Sequence, residues 1–150
     1  MITYQKGNLL EDSAEALVNT VNCVGVMGKG IALAFRKAFP DNYALYRAAC
    51  IAGEIQIGKL WVVSDFNLIY GQKVIINLPS KKHWRDPSQY AYVEAGLSAL
   101  TAYLKANHLQ SIALPAPGCG NGGLDWKNVR PMIEAYLSEL EMDIRVYEPE

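Results

Sequence analysis

With 150 residues, 51% hydrophobic and 19% charged, the chain has material for one packed domain and lies far from disordered composition. A formal net charge of −1 excludes a molecule-wide attraction to nucleic acid, so any such contact must come from a local basic patch. Cys23, Cys50 and Cys119 are odd in number and far apart, and His83 and His108 stand alone, so reduced thiols are expected and a metal site is not.

Residues 1–6 lack the apolar core of a signal peptide, and no apolar run is long enough to span a bilayer. A cytoplasmic protein with no membrane partner is the expectation. Residues 2–6 read as a first strand ended by Gly7-Asn8, and residues 16–22 as a second, apolar enough to be interior. Ile31, Ala32, Leu33, Phe35 and Phe39 then follow helical spacing until Pro40 stops them. Asp41 is placed to cap the next helix, which carries Tyr43, Leu45, Tyr46 and Ile51. Residues 60–66 and 73–78 are further strand candidates.

Asp86-Pro87-Ser88-Gln89 has the form of a capped helix start, with proline at the first helical position, and that helix should run to about Ala106. Residues 111–114 form a short strand, Asp125 caps a helix through Val129, Ile133 and Leu137, and residues 144–147 close as a last strand. Strands alternating with helices predict an α/β domain whose sheet is covered on both faces.

Two glycine-containing turns follow strand candidates, and in such sheets strand ends are where ligands bind. They are Asn22-Cys23-Val24-Gly25-Val26-Met27-Gly28-Lys29-Gly30-Ile31 and Pro115-Ala116-Pro117-Gly118-Cys119-Gly120-Asn121-Gly122-Gly123. Glycine lets the backbone approach a ligand closely, and a turn that opens into a helix adds the positive end of the helix dipole. Two such turns can hold both ends of one diphosphate; alternatively, they only make tight bends. Gly25, Gly28 and Gly30 match neither the dinucleotide fingerprint nor a P-loop. Lys81, Lys82, His83 and Arg85 surround Trp84 in the densest basic cluster, which suits a grip on phosphates and a base or a solvated loop.

Gly7-Asn8-Leu9-Leu10, Asn19-Thr20-Val21-Asn22, Met27-Gly28-Lys29-Gly30-Ile31-Ala32 and Pro115…Gly118-Cys119-Gly120 with Gly123-Leu124-Asp125-Trp126 together resemble a macrodomain, in order and over nearly the whole chain. Met27-Gly28-Lys29-Gly30-Ile31-Ala32 and Asn77-Leu78-Pro79-Ser80-Lys81-Lys82-His83-Trp84-Arg85 resemble its DNA ADP-ribosyl glycohydrolase branch. Those antitoxins remove ADP-ribose that a partner transferase toxin attaches to thymidine in single-stranded DNA.

The resemblance implies a three-layer α/β/α macrodomain with a central mixed sheet over residues 1–150, alone or as the N-terminal part of a longer antitoxin. It implies a monomer that needs no cofactor and no metal. Its partners would be ADP-ribose, ADP-ribosylated single-stranded DNA and a transferase toxin. Asn8 and Leu9 would meet adenine, Asn8 standing where many macrodomains have aspartate. Gly28, Lys29, Gly30 and Ile31 would wrap the diphosphate together with Gly118, Cys119, Gly120 and Asn121. Asn22 would bond the distal ribose, although an asparagine there also suits a turn.

Lys81 would be catalytic, its pKa lowered by adjacent Lys82 and by desolvation. Lys82, His83, Trp84 and Arg85 would contact DNA. A vertebrate glycohydrolase of the same branch pairs its lysine with an aspartate where this chain has Gly122, which leaves a lysine-centred site and Asp125 as a cap. The alternative functions are a non-catalytic ADP-ribose reader and a hydrolase of ADP-ribose esters.

Overall fold

The computed structural model describes residues 1–149. Its strands are β1 (Ile2–Gln5), β2 (Ala16–Val21), β3 (Trp61–Asn67), β4 (Gly71–Pro79), β5 (Ser111–Pro115) and β6 (Asp143–Tyr147). Its α-helices are α1 (Gly30–Ala38), α2 (Pro40–Ile51), α3 (Tyr90–Ala106) and α4 (Trp126–Leu137). The strands form a single sheet in the order β1-β6-β5-β2-β4-β3, parallel except for the β3–β4 hairpin.

Side chains alternate across the sheet, as the two-residue period of a strand requires. Ala16, Val18, Ile76, Leu78, Ile112 and Leu114 face α3 and α4, where Leu97, Leu100, Val129 and Ile133 complete one core. Leu17, Ile75 and Ala113 face the other way, onto Phe35 of α1, onto Phe39 between α1 and α2, and onto Leu9 and Leu10. Tyr46 and Ala49 of α2 close that second layer over Val21 and Met27. The result is the expected α/β/α sandwich on a mixed sheet.

β2 is the hinge of the topology. Its chain leaves through α1 and α2 toward β4 on one side, whereas β5 leaves through α4 toward β6 on the other. A crevice forms where connections diverge in this way, outside the carboxyl ends of the strands. Here β2 pairs with β4 along its whole length, from Ala16 opposite Val74 to Val21 opposite Pro79. It pairs with β5 only at Ala16–Ile112 and Leu17–Ala113. Both glycine turns, at the ends of β2 and β5, flank that opening.

Helix starts differ from the sequence expectation at two places. Phe39 occupies the cap position of α2 and Pro40 its first turn; Asp41 lies inside the helix and caps nothing. Proline at the first helical position leaves no N–H to be satisfied, so Pro40 both ends α1 and opens α2. α3 begins at Tyr90, after an extended Gln89 without a side-chain cap, so Asp86-Pro87 do not start it. Ser88 is drawn instead into bonds with the neighbouring loops. Asp125 does cap α4, accepting from the Lys127 N–H at 3.1 Å.

Candidate active site

The crevice is a cleft of about 750 Å³, within the usual size of small-ligand sites. One wall is the β2–α1 turn with Asn22, Val26, Gly28, Lys29, Gly30 and Ile31; the facing wall is Ala116, Gly118, Cys119, Gly120, Asn121 and Gly122. Gly7, Asn8 and Leu9 close one end with Tyr147, while Ser80, Lys81 and Trp84 stand at the end of β4.

The walls nearly touch. A Cβ on Gly30, whose φ is +57°, would stand 2.9 Å from the Asn121 amide nitrogen. Gly30 opens α1, and Lys29 at its cap position offers no side-chain bond to the first-turn N–H groups. On the facing wall, the 3₁₀ turn Gly120–Gly122 also lacks a side-chain cap. Unsatisfied amides at helical starts favour anions.

Asn22 sits at the end of β2 with its side chain largely occupied. Its oxygen accepts from Val24 N–H, Val26 N–H and the Tyr46 hydroxyl, and its amide donates to the Val26 carbonyl at 2.7 Å. The turn-forming role is thus present, and one amide hydrogen remains for a ligand. Asn8 caps the short Leu9–Glu11 turn by accepting from Leu10 N–H at 3.1 Å, which presents the Leu9 backbone to the cleft.

Lys81 extends the β4 edge. Main-chain bonds Ser80 N–H to Val21 carbonyl (2.8 Å) and Cys23 N–H to Lys82 carbonyl (3.2 Å) tie this segment to the end of β2. The Cys23 thiol reaches the Lys81 carbonyl at 3.4 Å. The Lys81 amine donates to the Trp84 carbonyl at 3.3 Å. Its pKa is held below the usual lysine value, first by burial and then by the positive charge of Lys29, with Asp86 opposing.

The expected neighbour is therefore corrected. Lys82 turns away, its amine 5.5 Å above the Tyr92 ring, and the tuning cation is Lys29 from the opposite turn. Adjacency in sequence therefore does not bring Lys82 into the site.

Of the basic cluster, Lys81 and Trp84 line the cleft, whereas Lys82, His83 and Arg85 do not. Trp84 is half exposed at the rim, with the Arg85 guanidinium 5.5 Å from its ring centre and the His83 ring at 5.3 Å. Cys119 lines the cleft as a protonated thiol: burial and then the Asp125 charge push it up to about 11. That leaves Lys81 as the nucleophile candidate of the cleft. Among the described residues no three His, Cys, Asp or Glu side chains group as metal ligands, and no helix is long and apolar enough to cross a membrane.

Sequence reasoning missed Val26, Ser80, Tyr147 and Glu148 as lining residues. Tyr147 could have been suspected from its position at the end of the last strand. Its closeness to Asn8 depends on the parallel pairing of β1 with β6, which no local pattern announces.

The Macro domain family profile matches residues 18–133. The chain belongs to the macro domain family. This macro domain is 51% identical, over 99% of its length, to the DNA ADP-ribosyl glycohydrolase of Thermus aquaticus, of which it covers 41%. The solved macrodomain of Mycobacterium tuberculosis DarG is 49% identical, with a TM-score of 0.95 covering 100% of this chain and 99% of that one. The structure of Thermosipho africanus DarTG in complex with ADP-ribose aligns at a TM-score of 0.92 and 32% identity, over 99% of this chain and 41% of that one. The chain spans about two fifths of the length of these curated relatives.

Proposed function

We propose that this macro domain removes ADP-ribose from thymidine bases of single-stranded DNA, within a longer antitoxin that opposes an ADP-ribosyltransferase toxin. About half identity across the chain to proteins named DNA ADP-ribosyl glycohydrolase supports the reading, as does the likeness to a solved ADP-ribose complex. One observation carries it: a lysine amine with a lowered pKa stands in a cleft whose two walls offer uncapped backbone amides.

In this reading the diphosphate lies between residues 28–31 and 118–121, held by main-chain N–H groups. Asn8 and the Leu9 backbone meet adenine, and the free amide hydrogen of Asn22 meets the distal ribose. The anomeric carbon C1 of that ribose then lies toward Lys81. As the bond from C1 to the base nitrogen breaks, its electron pair returns to the base, which takes up a proton.

A neutral Lys81 amine bonds C1 in that step; the bond from C1 to the ring oxygen then opens, the amine's two protons pass to the base and the ring oxygen, and the sugar is held as an imine. Water then adds to the imine carbon and expels the amine, freeing ADP-ribose and restoring the lysine. If Lys81 stays charged, it stabilises the departing base while water attacks C1 directly. The lowered pKa eases formation of the neutral amine, and capture of a lysine–sugar adduct by borohydride separates the two routes.

The deciding test is turnover of an ADP-ribosylated single-stranded oligonucleotide. Wild type should strip it, and Lys81→Ala should lose at least about a hundredfold in rate. Lys81→Ala should also keep its ADP-ribose affinity by titration calorimetry. A wild-type protein that binds ADP-ribose yet releases none from the oligonucleotide would be a reader, and the proposal would fall.

A further inference from the structure

Ser88 lies outside the cleft lining, is 5% exposed, and joins the two segments whose relative position sets the site. Its hydroxyl donates to the Ser80 carbonyl at 2.5 Å, one residue before Lys81. Its main-chain N–H donates to the Gly122 carbonyl at 2.9 Å, at the end of the turn that carries Gly118 and Gly120. The packing is close on both sides: a Cβ on Gly118 would stand 2.9 Å from the Ser88 hydroxyl oxygen, and one on Gly122 would stand 3.0 Å from Ser88 Cβ. The same Gly122 Cβ would lie 3.9 Å from Cε of Lys81.

The chain between Lys81 and Ser88 is an exposed loop with no regular structure, so it cannot by itself hold the lysine at a fixed distance from the second glycine turn. The first turn is fixed to the lysine separately, through the Val21–Ser80 and Cys23–Lys82 bonds. The second turn leaves β5, whose pairing with β2 stops at Leu17–Ala113, so the sheet does not tie it to β4 at this level. Ser88 supplies that missing tie.

We infer that Ser88 is a positioning residue, which holds the Lys81 amine in register with the diphosphate cradle without touching the ligand. The inference rests on the role given to Lys81 above. Misplacing a reacting group by about 1 Å can cost on the order of a hundredfold in rate while binding is retained. Ser88→Ala keeps the main-chain bond to Gly122 and removes only the bond to Ser80.

The test has two arms on the same protein. In the first, Ser88→Ala should lower kcat on ADP-ribosylated oligonucleotide by about tenfold or more. Its affinity for ADP-ribose should stay within about twofold, and Ser88→Thr, which keeps the hydroxyl, should restore the rate. In the second, Lys81 is acetylated with an N-hydroxysuccinimide ester and followed by peptide mass spectrometry, with and without saturating ADP-ribose. Bound ADP-ribose should protect Lys81 in wild type and Ser88→Thr, but not in Ser88→Ala.

Unchanged protection and rate in Ser88→Ala would overturn the inference, as would equal loss of affinity in the alanine and threonine variants. If Ser88→Ala fails to fold, Ser88→Cys, with its weaker donor, takes its place in both arms. A wild type inert on the oligonucleotide defeats the functional reading alone, because the labelling arm still reports on the tie.

Discussion

In the proposed reaction the chemistry turns on Lys81, whose amine is tuned by burial and by a cation more than fifty positions away in sequence. Burial acts first on its amine and the Lys29 charge second, both disfavouring the ammonium form. Lys29→Gln removes a cation, so the Lys81 pKa should rise and the pH at which the amine becomes a nucleophile should move upward. Acylation rates of Lys81 measured against pH should show that displacement, and an unmoved profile would assign the low pKa to burial alone. That Lys81 would line the cleft was legible because Asn77-Leu78-Pro79-Ser80-Lys81 is a compact motif. Its tuning was not: Lys82 is adjacent in sequence, yet its amine lies over the Tyr92 ring and the second influence on Lys81 comes from Lys29.

Among the elements, the glycine turns transfer most directly from sequence to site, because they need both a special backbone conformation and open space. Gly118 has φ +75°, and a Cβ there would stand 2.6 Å from Leu124 Cδ1 as well as against Ser88. Gly118→Ala should therefore destabilise the fold by about 1–3 kcal/mol, seen as a lowered denaturation midpoint. It should also weaken ADP-ribose binding at least tenfold, because the amides it carries are displaced. Retained affinity in a folded Gly118→Ala protein would remove the second turn from the cradle. Strands were legible within a residue or two, since apolar runs bounded by turn residues admit little else. The start of α3 was not, because Asp86-Pro87-Ser88-Gln89 satisfies a local rule that Ser88's two tertiary bonds override.

At the scale of the molecule, a buried charged network underlies the end of the cleft lined by Asn8, Leu9 and Tyr147. Asp12 accepts from Arg145 at 2.7 Å, from the Tyr147 hydroxyl at 2.7 Å and from Ala14 N–H at 2.7 Å. Burial pushes its carboxyl up, but these bonds outweigh it and the pKa lies below the ordinary aspartate value. The Lys73 amine bonds the Asp12 and Ala14 carbonyls beside it. A depressed carboxyl stabilises the fold fully above its unfolded pKa, near 4, and loses that contribution as pH falls through the lower folded value.

Asp12→Asn should therefore cost about 3 kcal/mol near neutrality by leaving Arg145 without its buried anion, and the deficit should shrink in acid. Urea titrations at pH 7 and pH 3 would read both, and an equal deficit at the two would contradict the linkage. None of this network was legible in the sequence, since Asp12, just before β2, meets Lys73 and Arg145 only once β4 and β6 are in place.

The partial pairing of β2 with β5 gives the cleft a mechanical meaning. Beyond Leu17 and Ala113 no ladder bonds stitch β2 to β5, so the sheet opens along the line where a guest would lodge. A molecule gripped by both rims would bridge that seam as mortar does a joint.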